Sequence, residues 1–411
     1  MNARDFDVVV LGATGFTGQI TANYLATIMP RNLRLGIAGR NLDKLKPILS
    51  ELQLLNPNVQ SVVADVIDAS SIDELASRTK VLITTVGPFW IHGPIVVDAC
   101  IKRNTHFLDC TGETHYIKKI IQEQHDNAVS NKTVIVPSCA FEAFLPDIGA
   151  FLVAKHFKSK GIEIGTVRYS IVKFNSAGVS GGTLHSLSTA LSLKGGIMND
   201  VFADVSCLEP AGSNLTPQKA SGSSICEYSK ELGGWQSWFL AERGNVRYVR
   251  RSAALLNYGS GFRFHETMAH TQPFSAYLYG IGQVVVLHLL YLSFIRRIVG
   301  HFIPTGSGPS AKKMKEGSFG VHIIGESADK RHQCVASISF DEDPGYKATA
   351  VLLAQSALCL LLDQAKLRTA GKDDRQFKTL EGGVLTGVSA MGEVVLERLE
   401  QAGFVFTVHD A

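Results

Sequence analysis

Apolar residues along this chain fall into two textures. Over the first third, short apolar runs alternate with stretches in which apolar positions recur every three or four residues. The runs at 7–11, 33–38, 60–64, 80–85, 106–109 and 132–136 predict buried strands, and the stretches between them predict amphipathic helices. Ser71-Ile72-Asp73-Glu74 reads as a capping box opening one of those helices. Such alternation builds a parallel sheet with right-handed crossovers, so the first part of the chain is α/β with a doubly wound sheet. A ligand belongs beyond the C-terminal ends of the strands, where Gly12, Asp65 and Gly87-Pro88-Phe89 stand.

After about residue 140 the pattern changes. The stretches 162–174 and 246–251 read as strands, separated by Gly/Ser-rich segments at 176–183 and 210–225. This predicts a second, α+β domain with a more open antiparallel sheet. Pro304 to Pro309 is a turn-rich loop, and helical patterns at 348–365 and 389–402 flank a glycine turn at Gly382-Gly383. The chain divides into 1–140, 141–345 and 346–411. One run stands apart. No formally charged residue lies between Glu266 and Arg296, and 276–295 is almost wholly apolar. As one helix it has the length to span a bilayer, with Tyr277, Tyr279, Tyr291 and Arg296-Arg297 placed as interfacial anchors. A buried core helix or a homodimer interface would also cover it, and Gly280 and Gly282 favour close packing in either case. Left in water, it would aggregate.

The first strand turns directly into Gly12-Ala13-Thr14-Gly15-Phe16-Thr17-Gly18. In that context the glycines have separate uses: Gly12 for a tight turn, Gly15 for approach of a phosphate to the backbone, Gly18 for close helix–strand packing. The N–H groups and dipole of the following helix favour an anion there. The second strand ends at Gly39-Arg40, with no acid to accept from a ribose 2′-OH; Asp43 lies further on, at a helix start. A guanidinium suits a 2′-phosphate, so the expected cofactor is NADP(H). Gly87, Pro88 and Phe89 are expected along the nicotinamide half, and Asp65 either at the nucleotide or capping its own loop.

Composition narrows the partners. A chain of 411 residues with 45% hydrophobic and 19% charged residues supports a large core in two or so domains. A net charge of +3, with no basic stripe bearing aromatics, gives no reason to expect nucleic acid. Seven cysteines without a CxxC pair read as buried thiols of a reducing compartment, with no structural metal. Asp5-Phe6-Asp7 leads straight into the first strand, so no signal peptide is expected and the protein should face the cytoplasm.

These blocks together make the chain resemble the saccharopine dehydrogenase-like oxidoreductases, which include trans-acting enoyl reductases and a lipid-droplet-associated branch. The resemblance rests on Gly12 to Gly18, Ala38-Gly39-Arg40, Val86-Gly87-Pro88-Phe89 and Asp109-Cys110-Thr111-Gly112-Glu113. It continues through Ser180-Gly181-Gly182-Thr183, Arg251-Ser252-Ala253 with Tyr258-Gly259, Asp343 to Thr349, and Gly382 to Thr386. It implies a Rossmann domain, a sheet-containing second domain and a C-terminal segment that packs back on the first. Two departures lie near the expected crevice. Ala140 to Asp147 replaces the family's Gly-Phe-Asp-Ser-Ile-Pro-Ser-Asp, and His92 stands where many members carry Tyr.

Hydride transfer needs an apolar wall and often a proton donor. No donor is identifiable from these residues. Tyr169 and Lys173 match a Tyr-x-x-x-Lys spacing, but their flanks read as strand, which sets them about 13 Å apart. Glu113, Tyr258 and Tyr346 are candidates for substrate contact, and His92 and His115 lie near the same sheet edge. The reading is an NADP(H)-dependent oxidoreductase reducing an activated C=C or C=O bond of a hydrophobic or acyl-type substrate, with membrane or lipid-droplet contact through 276–295. A saccharopine-type reductase and a nucleotide-binding sensor or scaffold without turnover are the alternatives.

Overall fold

The computed structural model describes residues 4–193, 201, 203–218, 225–304, 306–371 and 376–411. Residues 219–224 of the Gly/Ser-rich stretch, and Thr305, lie outside the described residues. The N-terminal alternation runs β1 (Phe6–Leu11), α1 (Phe16–Ile28), β2 (Leu35–Gly39), α2 (Leu42–Leu55), β3 (Gln60–Val63), α3 (Ala69–Ser77), β4 (Thr79–Thr84), α4 (Phe89–Arg103), β5 (His106–Asp109), α5 (Thr114–Ser130) and β6 (Val134–Val136). These strands pair in parallel in the order β6-β5-β4-β1-β2-β3, with the reversal of strand order beside β1. Strands β1, β2 and most of β4 are buried on both faces, because helices cover each side. One detail differs from expectation. Asp68 caps α3 by accepting from Ser70 N, whereas Ser71 uses its hydroxyl to accept from Asp65 N at 3.2 Å. An Asp at the loop end reached the free N–H groups first, so the helix starts earlier than the Ser-x-x-Glu signal implied.

α6 (Phe141–Ser159), buried almost all round, carries the chain into the second sheet. That sheet comprises β7 (Ile164–Asn175), β8 (Cys226–Ser229), β9 (Gly234–Trp238), β10 (Arg263–His270), β11 (Ser318–Ser327) and β12 (Gln333–Phe340), with α7 (Gly181–Leu191) following β7. Its pairs are antiparallel except β7 with β10. Tyr169 and Lys173 lie on β7, as the strand reading required.

The stretch 246–251 is helical and not a strand; it belongs to a helix over Glu242–Leu255. Its alternating apolar and cationic residues imply a solvated face that does not exist. Arg250 instead pairs with Glu209 at 2.6 Å, and Arg251 donates to the Leu208 and Val384 carbonyls at 2.6 Å each. Cations paired inside the fold, even with Arg251 Nε left unbonded, need no strand edge facing water.

The C-terminal stretch serves both layers. The helix Thr349–Leu362 packs on α1 and β4, and β13 (Gly383–Val384) extends the first sheet beside β6. A capping box at Thr386 and Ser389 opens the helix Gly387–Gln401, and β14 (Val405–Asp410) pairs with β12 in the second sheet. This last strand was not foreseen, since its residues alternate over only six positions and its pairing partner lies far away in sequence.

The apolar segment forms two helices, Pro273–Tyr291 and Ser293–Phe302, with an extended Leu292 between them. It is no core helix: Ala276 and Gly280 are its only buried residues in the first, and none are buried in the second. Its inner flank is nevertheless held. A Cβ on Gly280 would lie 2.7 Å from the Ile225 carbonyl oxygen, and the Gln283 amide bonds Trp238 O at 2.7 Å and Leu240 N at 2.8 Å.

Candidate functional site

The C-terminal ends of the first sheet's strands open into a crevice of about 1100 Å³. Gly12, with φ +89°, makes the tight turn after β1; its N–H donates to the Ala38 carbonyl at 2.9 Å. A Cβ on Gly18 would lie 2.2 Å from the Gly12 oxygen, so the close packing of α1 on β1 requires glycine there. Gly15 meets nothing but that same oxygen, at 3.2 Å, and leaves the backbone open to the crevice. Gly12, Thr14, Gly15, Phe16 and Thr17 line the crevice, while Ala13 and Gly18 are buried beneath it. No side chain caps α1 and no acid sits in its first turn, so its N–H groups remain available to an anion.

Arg40 lines the same wall, and among the described residues no carboxylate pairs with it. Asp43, the nearest acid in sequence, is engaged by Lys46 at 2.8 Å. A turn shaped for pyrophosphate with an unpaired guanidinium at the end of β2 fits a 2′-phosphorylated dinucleotide. Asp65 lines the crevice and also accepts from Ile67 N at 3.2 Å, so it caps its own loop as well. His92 lies nearby; burial lowers its basicity, Asp65 acts against that, and Arg40 lowers it further.

Gly87, Pro88 and Phe89 lie at the next strand end, also on the crevice. Glu113 explains their position. Its carboxylate accepts from Phe89 N at 2.9 Å and Trp90 N at 2.8 Å, closing the N-terminus of α4. Burial pushes the Glu113 carboxyl upward against the pull of these two N–H donors. Ser186 of α7 approaches both Gly87 and this carboxylate, so α7 covers this end of the crevice. Glu113 thus faces the crevice with its acceptor capacity largely committed to the loop.

His115 was only a minor candidate in the sequence. It lines the crevice, packs its ring 5.0 Å from Trp90, and is buried with neither ring nitrogen hydrogen-bonded. Its Nε2 lies 3.7 Å from Glu113 Oε2, beyond hydrogen-bond reach. Burial holds the imidazole neutral, with a pKa of about 4. Unpartnered buried nitrogens are costly, and clefts are where such groups persist.

The remaining candidates separate. Tyr346 edges the crevice: its hydroxyl accepts from Ser180 N and its ring meets Phe16 edge-on at 4.9 Å. Tyr258 does not reach it. Its ring sits between Phe262 and Phe377, at 5.4 and 5.1 Å, in a different part of the core. Ser180 caps α7 by accepting from Thr183 N, which turns Ser180-Gly181-Gly182-Thr183 into a helix start on the crevice wall. The far half of the crevice, missed in the sequence, comes from Leu187, Ala190 and Leu191 of α7, from Phe239, and from Leu287 and Tyr291 of the long apolar helix. No linear signal could join these, since they stand on elements up to about a hundred residues apart that meet only when the second domain folds. Among the described residues no cluster could hold a metal ion.

Residues 8–136 match the model of the saccharopine dehydrogenase NADP-binding domain. A putative trans-acting enoyl reductase of Mycobacterium tuberculosis is 33% identical, over 97% of this chain and 96% of its own length. The trans-acting enoyl reductase of Mycobacterium leprae is 31% identical, over 98% and 97%. Apo saccharopine dehydrogenase (L-Glu forming) from Saccharomyces cerevisiae superposes with a TM-score of 0.53, covering 98% of this chain and all of that one, at 11% identity. That last likeness concerns the fold alone. Bound NADP(H) supplies hydride chemistry; Gly12, Thr14 to Thr17, Arg40 and the Gly87-Pro88-Phe89 loop are the residues that would hold it. The chain is an NADP-dependent oxidoreductase and belongs to the saccharopine dehydrogenase-like family, together with the trans-acting enoyl reductases.

Proposed function

We propose that this oxidoreductase reduces an activated C=C or C=O bond of a hydrophobic or acyl-type substrate. The observation that carries the reading is the two-part crevice: a phosphate cradle at one end, and at the other an apolar wall built by α7 and the Pro273–Tyr291 helix. The relatives named enoyl reductases support the same chemistry. A saccharopine-type substrate needs cations for its carboxylates, and Arg243 is the one Lys or Arg on that half of the crevice among the described residues. Steady NADPH oxidation with trans-2-enoyl-CoA or 3-ketoacyl-CoA thioesters is expected. NADPH binding without turnover across that panel would favour the sensor alternative.

The same reading places the enzyme on the cytoplasmic side of a membrane or lipid droplet. Phe274, Leu278, Ile281, Val285, Leu289, Phe294, Ile298 and Phe302 are all exposed, an apolar face that needs a cover. Because Gly280 and Gln283 are tied to the second sheet's edge, the helix would lie in the interface and not cross it. Replacing Val285 and Leu289 with Asp should move the protein to the soluble fraction with NADPH affinity intact. A wild type fully soluble without detergent would refute the membrane reading.

A further inference from the structure

A second cavity, of about 170 Å³, lies against α7 beside the crevice. Leu184, Leu187 and Leu191 form one wall, and Leu290, Val299 and Ile303 the other. His185, Leu187 and Leu191 line the large crevice as well, so the two spaces border the same turns of α7. Arg296 also borders the slot, but its guanidinium is spent on the Leu290 and Tyr291 carbonyls and on Ser192 Oγ, at 2.7, 2.9 and 3.0 Å. His185 and Ser188 border the slot too, so its apolar surface is confined to the leucines of α7 and to Leu290, Val299 and Ile303 facing them.

We propose that this slot takes the distal end of the substrate's apolar chain and sets the chain length the enzyme prefers. The inference rests on the reductase reading above. The reactive end of the substrate lies in the crevice beside Gly87-Pro88-Phe89, and the chain passes along Leu187 and Leu191 into the slot. At about 30 Å³ for a group the size of a water molecule, the slot holds roughly five or six methylenes. A chain too short to reach it gains nothing from Leu184 or Val299. A chain that fills it gains up to about fourfold in kcat/KM for each methylene withdrawn from water.

The test uses the full chain, NADPH and a ladder of trans-2-enoyl-CoA thioesters from four to sixteen carbons, with the matching 3-ketoacyl-CoA series. For the wild type, kcat/KM should climb with length and then level off once the slot is full. Leu184→Trp and Val299→Trp fill the slot from opposite walls. Each should lower the twelve-to-four-carbon ratio of kcat/KM by tenfold or more, with NADPH affinity as the check that the fold is intact. If one variant fails to bind NADPH, the other decides. A wild-type profile flat with length, or a folded variant that leaves the ratio within twofold of wild type, overturns the slot and leaves the reductase reading standing. No NADPH oxidation with any thioester overturns both.

Discussion

Gly15→Ala and Gly18→Ala should fail in different ways. A Cβ on Gly18 would sit 2.2 Å from the Gly12 carbonyl oxygen, 2.8 Å from its carbonyl carbon and 2.8 Å from Thr85 Oγ1. The first two are backbone atoms of a turn pinned by its hydrogen bond to Ala38 and by the positive φ of Gly12. The turn cannot yield without lifting α1 from β1. Overpacking a dense site costs about 1–3 kcal/mol, and with backbone on the receiving side the cost should be near about 3 kcal/mol. A Cβ on Gly15 meets only the Gly12 oxygen, at 3.2 Å, which a shift of a few tenths of an ångström relieves. Restricting the unfolded chain offsets that strain by about 0.4–1 kcal/mol, so stability should change by less than about 1 kcal/mol. The same methyl group nevertheless stands on the open side of the turn, where the pyrophosphate approaches. NADPH affinity should fall by about tenfold or more, equivalent to about 1.4 kcal/mol. Urea unfolding measures the first effect and NADPH fluorescence titration the second. Wild-type affinity in Gly15→Ala, or wild-type stability in Gly18→Ala, would refute the division of labour between the two glycines.

Three further outcomes are expected. Arg40→Ala should weaken NADPH binding about 10- to 100-fold, the loss of one charge-assisted contact of about 1.5–3 kcal/mol, and leave NADH binding unchanged; parallel titrations with both nucleotides check this. His115→Phe removes two buried nitrogens that have no partner, so the urea midpoint should rise by the equivalent of about 1 kcal/mol, and a fall would mean that the imidazole is bonded. Burial pushes the Asp147 carboxyl up to about 8, so the folded state keeps a proton that the unfolded chain releases. That stability is present below about pH 4 and lost as pH rises toward 8, at about 1.4 kcal/mol per pH unit. Asp109, pushed by burial to about 7, acts with the same sign. Asp147→Asn should therefore remove about 1.4 kcal/mol per pH unit from the fall of unfolding free energy between pH 5 and 7, and an unchanged slope would contradict the assignment.

The first sheet and its glycine turn were legible in the sequence because their determinants are local. A fully buried parallel strand needs a short apolar run, a crossover helix needs its own periodicity, and Gly12, Gly15 and Gly18 act within one turn. Arg40 was legible for the same reason, standing one residue beyond β2. The helix at 246–251 was misread as a strand because its arginines are satisfied by Glu209 and by carbonyls distant in sequence, which a local pattern cannot represent. Tyr258 and Tyr346 look alike in the sequence, yet one packs between phenylalanines and the other edges the crevice. The apolar run at 276–295 announced only that it required a cover. Tertiary structure decided that Gln283 ties its inner flank to the second sheet, that Leu287 and Tyr291 line the crevice, and that the rest faces outward. Burial is a property of the assembled layers: a side chain's own chemistry fixes what an environment costs, and only the packing of distant elements fixes which environment it meets.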